Sequence, residues 1–358
     1  MLIRVCVNMK ILLVTSNIAP QSGGPTRSVK GLCRALSMAG CDVSLLVLTG
    51  KDVFENPAGV NVIYGLQVDV KHYDIVHING LWTLGLHSIA MRCVRANVPY
   101  IISPRGMLDP WALSVKRWKK VLGMMLYQKR TLRSAIGYHA TATAEREHIE
   151  RLGLMQQCII APNGVDLPQN MPDRITDGRL RTALFLSRLH PGKGLLQLAE
   201  AWAIVKPAGW RMRVVGPDSY GHKKEVVAKL KSLGICSEWT FDDALDDKDK
   251  WRAYRTANVL VHPSVSENFG ITIAEGLAAE LPVIATKGAP WQDLASENCG
   301  WWINQGVDPL VDALNEALSL TDEQRYEMGC RGRLLVERKF SWPAIAKKMI
   351  AGYRDFIA

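Results

Sequence analysis

Nowhere in this chain do apolar residues run on for the ~18 positions that a membrane-crossing helix requires. The run Ile11 to Val14 is too short, and too soon followed by polar residues, to be the core of a secretory signal. Eight cysteines are scattered through the sequence (Cys6, Cys33, Cys41, Cys93, Cys158, Cys236, Cys299 and Cys330), with no Cys-x-x-Cys and no histidine at zinc spacing. A disulfide framework and a zinc module are thereby excluded, and each thiol reads as a small buried apolar group in a reducing compartment. Short repeats and low-complexity tracts are also lacking. A cytoplasmic protein is expected, with peripheral attachment to the inner face of the cell membrane left open.

What is present begins with length. A chain of 358 residues with 48% apolar content can bury two ordinary cores. Strand-like runs at Met9 to Thr15, Asp42 to Leu48, Tyr73 to Ile78, Pro99 to Ser103 and Ile136 to Ala140 alternate with helical stretches, among them Pro25 to Met38, Leu81 to Ala96, a long one ending at Arg133, and Ala144 to Arg151. Such alternation implies a doubly wound α/β domain with a parallel sheet. Loop formers gather at Pro162, Asn163, Gly164, Pro168 and Pro172 and make a linker. A second alternating series follows through Arg181 to Leu186, Arg211 to Val215 and Trp239 to Phe241. The expected division is 1–165, 166–340 and a final helical segment 341–358.

Glu267 and Glu275 stand eight positions apart in His-Pro-Ser-Val-Ser-Glu-Asn-Phe-Gly-Ile-Thr-Ile-Ala-Glu-Gly. Ser264 to Gly270 reads as a loop and Ile271 to Ala279 as a helix, so the acids bracket a helix N-terminus. Unpaired amides there, at Gly270, Ile271 and Thr272, suit a phosphate, and the flanking carboxylates suit sugar hydroxyls. Taken alone, the spacing is more often that of a capping acid and a solvated helix residue. The context adds a strand on each side, Asn258 to His262 and Leu281 to Thr286, which puts the loop where parallel sheets bind ligands.

The run Ala257 to Thr286 resembles the Glu-x7-Glu signature of the retaining group 1 glycosyltransferases, family GT4. The loop Ser187-Arg188-Leu189-His190-Pro191-Gly192-Lys193-Gly194 is similar to the Arg-x4-Lys element of the same enzymes. That resemblance implies the GT-B fold, two Rossmann-like doubly wound parallel-sheet domains facing each other across a cleft. The first would bind the acceptor, the second the nucleotide-sugar, and the last helix would return to the first.

The resemblance also implies roles. Arg188 and Lys193, two permanent cations, would neutralise the departing diphosphate. Glu267, with Asn268 and Phe269 beside it, would orient the donor sugar, and Glu275 would hold the ribose. Ser22-Gly23-Gly24-Pro25 would bring Gly23 and Gly24 close to the diphosphate; without a Gly-x-Gly-x-x-Gly spacing, no nicotinamide cofactor is expected. No carboxylate pair suited to a double displacement is evident; the resemblance implies front-face transfer instead, with none of Glu267, Glu275, Arg188 and Lys193 needing an unusual pKa. Relatives often have His where this chain has Arg105, a fixed cation, which leaves Arg105 charge stabilisation or acceptor binding.

Acceptor contacts are expected at His77, Asn79, Trp82, Asp109 and Trp111, with a buried structural role as the alternative for His77. Asp242, Asp243, Asp246 and Asp247 read as solvated caps, and no metal is expected. Lys116, Arg117, Lys119, Lys120, Lys129, Arg130 and Arg133 interleave with Trp118, Val121, Leu122 and Met125, which suits an anionic lipid surface, a solvated basic helix being the alternative. The formal charge of +10 favours anionic partners. A UDP-, GDP- or dTDP-sugar donor and a saccharide acceptor are expected, the acceptor lipid-linked and belonging to a bacterial surface polysaccharide such as lipopolysaccharide, O-antigen or exopolysaccharide. A sugar-nucleotide epimerase or phosphorylase of the same fold is the alternative. Nucleic acid is not an expected partner, because the basic residues cluster on one helical stretch without a recognition helix or basic arm.

Overall fold

The computed structural model describes residues 9–18, 24–50, 57–167, 180–218 and 220–357. The chain forms two compact units, Met1–Gly164 with Ser341–Ala358, and Val165–Phe340. Strands of the first are β1 (Lys10–Thr15), β2 (Asp42–Val47), β3 (Asn61–Tyr64), β4 (Ile75–Asn79), β5 (Tyr100–Ser103), β6 (Gly137–Ala140) and β7 (Gln157–Ile160). Those of the second are β8 (Arg181–Leu186), β9 (Trp210–Val215), β10 (Trp239–Asp242), β11 (Val259–His262), β12 (Val283–Thr286) and β13 (Gly300–Ile303). The sheets run β3-β2-β1-β4-β5-β6-β7 and β10-β9-β8-β11-β12-β13. Every described pairing is parallel.

The central strands are covered on both faces, so they read as unbroken apolar runs. In β1, Ile11 and Leu13 enter one core together with Val29 and Leu32, while Leu12 and Val14 enter another with Leu86 and Ile89. The two-residue period of a strand sends alternate side chains to opposite faces. β8 repeats this, with Ala183 and Phe185 on one side and Leu184 on the other.

Three strands escape the sequence reading, β3, β7 and β13, all edge strands or half-buried. The long helical stretch ending at Arg133 is broken into Pro110–Ser114, Arg117–Gly123, a π-helical turn Met124–Gln128 and Lys129–Arg133. Lys116 adopts a left-handed φ of 51° between the first two pieces, which no helix propagates.

The last helix, Trp342–Ile357, belongs to the first unit and packs beside the helix Gly24–Met38. Its Trp342 ring lies against Gly31 and Gly164, where an added Cβ would sit 1.9 and 2.3 Å from ring atoms. Only glycine admits the indole at these two points.

Strand order reverses between β1 and β4 in one sheet and between β8 and β11 in the other. At such switch points the loops leaving neighbouring carboxyl ends diverge and open a crevice. The loop carrying Arg188 and Lys193 leaves β8, and the loop carrying Glu267 leaves β11.

Candidate active site

In the second unit the two loops are joined through their backbones. Val265 N donates to Gly192 O at 2.9 Å. Gly194 has φ 74°, and a Cβ there would stand 2.1 Å from the Pro263 carbonyl oxygen, so the close approach itself requires glycine. Arg188 is exposed, while Lys193 is largely covered and ion-paired to Glu267 Oε1.

The same Oε1 is 2.8 Å from His262 Nε2 and accepts from Ser264 Oγ at 2.9 Å. Burial opposes the charge on Glu267, but the hydrogen bond and charge of His262, together with the charge and hydrogen bond of Lys193, outweigh it and hold the carboxyl well below the usual carboxylate range. The expectation that no group here has an unusual pKa is corrected at this residue: Glu267 is a firmly ionised acceptor and no proton donor.

The rest of the loop is fixed by its backbone. Glu267 N donates to Gly288 O at 2.8 Å, and Trp291 Nε1 donates to Phe269 O at 2.5 Å. Phe269 itself packs against Trp291 and Phe340 in the core, 5% exposed, so its side chain is corrected from ligand contact to anchor. Asn268 is half-buried. Gly270 then caps the helix Ile271–Ala278, whose first amides, at Ile271 and Thr272, have no acceptor within the helical ladder.

Glu275, one turn in, is buried rather than solvated. Lys250 Nζ donates to its Oε1 at 2.7 Å and Tyr254 OH to its Oε2 at 3.0 Å. The sequence reading missed His262, Ser264, Lys250 and Tyr254 as partners. His262 and Ser264 were within reach, since both stand directly beside the Glu267 loop; Lys250 and Tyr254 come from the helix Asp247–Arg255 and give no local signal. Asp246 caps that helix by accepting from Asp249 N at 2.8 Å, and Asp242 pairs with Arg213 at 2.6 Å. Among the described residues no His, Cys, Asp and Glu side chains are grouped as a metal site.

In the first unit Arg105 follows β5 with a left-handed φ of 56°. Its Nη2 donates to Asn79 Oδ1 at 2.8 Å and its Nη1 to Asn163 Oδ1 at 2.7 Å. The buried Glu145 secures the turn by accepting from Gly106 N at 2.6 Å and Thr141 N at 2.7 Å. Burial lowers the Arg105 pKa, and the charge of Glu145 opposes that shift. Arg105 and Asn79 are thus brought together, and Asn163 is an unforeseen third member.

His77 is corrected outright. It is 0% exposed, with Nδ1 bonded to Tyr353 OH at 2.7 Å and Nε2 to Ser103 Oγ at 2.9 Å, leaving no ring nitrogen for an acceptor. Asp109 is engaged locally, accepting from Ala112 N at 3.4 Å and lying 3.6 Å from His148. Trp82 takes a left-handed φ of 69°, its peptide held by Gln128 Oε1 and Tyr127 OH from the π-helical turn at 2.9 Å each. Gly23 lies outside the described residues, Gly24 opens the first helix, and Trp111 is described by its backbone alone, within Pro110–Ser114.

Lys116, Arg117 and Lys119 are exposed, and Lys120 Nζ reaches the Ala112 carbonyl. Beside them Trp118, Val121, Leu122, Met125 and Leu126 are 49–77% exposed. A shallow groove of about 500 Å³ runs here, lined by Trp82, Pro110, Leu113, Arg117, Lys120 and Met124 among others. No helix among the described residues is long and apolar enough to cross a membrane.

Two parallel-sheet units with loops of this kind at their switch points define a GT-B fold. Residues 169–334 match the model of the glycosyl transferases group 1, and residues 66–164 match that of the glycosyl transferase 4-like domain. The chain belongs to the group 1 glycosyltransferases. It is 30% identical over 213 residues to the D-inositol 3-phosphate glycosyltransferase of Segniliparus rotundus, a match covering 56% of this chain and 47% of that protein. The chain thus spans about half the length of that relative. It is 23% identical to the GDP-mannose-dependent alpha-mannosyltransferase of Corynebacterium glutamicum over 98% of this chain and 90% of the relative. Among solved structures, Anabaena Alr3699/HepE in complex with UDP and glucose is similar with a TM-score of 0.74 at 16% identity, over 97% of this chain and 100% of that one.

Proposed function

We propose that the protein is a retaining glycosyltransferase that moves one sugar from a nucleotide-sugar to a saccharide acceptor. The observation that carries this reading is the pairing of a firmly ionised Glu267 with Lys193, on the loop that also carries Arg188, at the switch point of the second sheet. A fixed anion serves the hydroxyls of a sugar and fixed cations serve its leaving diphosphate. A GDP-mannose-dependent relative and a similar structure holding UDP support a nucleotide-sugar donor; the donors we propose are UDP-, GDP- and dTDP-sugars.

In the proposed reaction the bond from C1 of the sugar to the β-phosphate oxygen breaks, stabilised by Arg188 and Lys193. The acceptor oxygen bonds C1 on the same face, and its proton passes to the departing phosphate. Glu267 holds the donor sugar, the amides of Ile271 and Thr272 face phosphate, and Glu275 holds the ribose. Arg105, fixed by Asn79 and Asn163, is assigned charge stabilisation or acceptor binding. No metal is required, because the two cations and the helix amides supply the positive charge.

The acceptor we propose is a lipid-linked saccharide of a bacterial surface polysaccharide, met at the cytoplasmic face of the membrane. The exposed apolar residues around Trp118, rimmed by Lys116, Arg117, Lys119 and Lys120, support that contact.

A thermal-shift screen of UDP-, GDP- and dTDP-sugars, followed by an assay of nucleoside diphosphate release, tests the reading. Release that depends on acceptor is expected, and Glu275→Ala weakens nucleotide binding. Acceptor-free conversion of the nucleotide-sugar into an isomer overturns transfer in favour of epimerisation, and unchanged affinity in Glu275→Ala removes that residue from the ribose.

A further inference from the structure

His262 ends β11, its side chain 2% exposed, and it directs Nε2 at Oε1 of Glu267 over 2.8 Å. We propose that His262 is a positioning residue that occupies one oxygen of Glu267 and so dedicates the other, Oε2, to the donor sugar. This rests on the reading of Glu267 as the sugar-binding carboxylate.

Three observations lead to it. First, Oε1 meets Lys193, His262 and Ser264 together. A carboxylate oxygen offers about two lone-pair directions, so three donors leave Oε1 no capacity for a sugar hydroxyl. With Glu267 ionised, the hydrogen of the short contact belongs to His262 Nε2, and the histidine is the donor.

Second, His262 Nδ1 is buried and has no hydrogen-bond partner among the described residues. A buried polar atom left unpaired costs stability that an apolar ring of the same shape would not. Packing alone therefore gives no reason for histidine at this point; the Nε2 bond to Glu267 does.

Third, the three donors differ in where else they are needed. Lys193 belongs to the loop proposed to meet the diphosphate, and it shares its charge with that ligand once donor is bound. His262 stands on the end of a strand paired to β12 through Ala285, and Ser264 two residues later is fully buried. These two hold Glu267 in place while Lys193 turns to the phosphate.

Calorimetry on the intact chain with UDP-glucose, GDP-mannose and dTDP-glucose, each beside its own nucleoside diphosphate, tests the proposal. In His262→Phe, affinity for the bound nucleotide-sugar falls about tenfold, the scale of one hydrogen bond to a charged group, while affinity for the nucleoside diphosphate stays as in the wild type. His262→Gln, which keeps an N–H donor, recovers most of the loss. In a Glu267→Ala background His262→Phe has no further effect, as a residue acting through Glu267 requires. Should His262→Phe lack a cooperative thermal transition, His262→Ala carries the same comparison.

An unchanged preference for the nucleotide-sugar in His262→Phe overturns the proposal, as does an equal loss for nucleotide and nucleotide-sugar, or an effect that persists without Glu267. If the wild type binds none of the three donors, the reading of the site fails and this proposal falls with it.

Discussion

His77 and His139 lie with ring centroids 5.2 Å apart in the core of the first unit. A chain of hydrogen bonds runs from Tyr353 OH to His77, on to Ser103 Oγ, then to His139 at 2.6 Å and the Ala161 carbonyl at 2.8 Å. Burial pushes both histidines down, His77 well below its usual value and His139 to about 3, and each is further lowered by the charge of Arg105. Above pH ~6.5 both are neutral in folded and unfolded chain alike and contribute no pH dependence. As pH falls below that value the unfolded chain takes up protons that the folded one refuses, so stability declines. The expected slope is ~1.4 kcal/mol per pH unit for each histidine, down towards the folded pKa of each. Urea midpoints at pH 7.5, 6.5 and 5.5 check this: a flat profile contradicts it, and His139→Gln should reduce the slope. A strand-end histidine looks the same in sequence whether it faces a ligand or a core. Its partners Ser103 and Tyr353 are 26 and 276 positions away, which is why the acceptor role read for His77 was wrong.

At the scale of elements, the helical pieces between Pro110 and Arg133 combine exposed apolar side chains with a basic rim. Attraction to anionic lipid amounts to ~1 kcal/mol per basic residue near the surface. Reversing two charges in Lys119→Glu with Lys120→Glu should therefore release the protein from phosphatidylserine vesicles, seen by co-sedimentation at low salt, with neutral vesicles as reference. Undiminished binding rules out a membrane role for this surface. The sequence exposed the basic and apolar interleaving here, because both kinds of residue are counted without knowing the backbone. It did not expose the π-helical turn, which the strained Trp82 peptide helps hold from 45 and 46 positions away. Elements with strong local patterns, such as β1, β8 and the helix Trp342–Ile357, were legible to within a residue or two. β3, β7 and β13 were not, since a four-residue half-buried strand presents too few apolar positions for a period to emerge. The candidate-site loops were legible through their spacing, and His262 stood within reach beside Glu267, but that Lys193 meets Glu267 and that Lys250 and Tyr254 meet Glu275 is fixed by tertiary packing.

For the whole molecule, the last helix supplies Trp342, Ile345, Met349, Ile350 and Tyr353 to the core of the first unit. At ~1.5–3 kcal/mol for each large apolar side chain, removing them approaches a domain's entire stability of ~5–15 kcal/mol. A chain stopped after Phe340 should lose the unfolding transition of the first unit, followed by circular dichroism, while the second still gains thermal stability from a nucleoside diphosphate. Loss of both transitions together would mean that the second unit does not stand on its own core.

The fold gives that second unit a single doorway. Its first residue, Val165, donates from its backbone N to the carbonyl of its last, Phe340, at 2.9 Å. On the other side of the same peptide bonds, Gly164 lies under the Trp342 ring. The second unit is thus a cassette whose two ends sit together. Exchanging it between relatives cuts the chain only there, and neither hydrophobic core is opened by the graft.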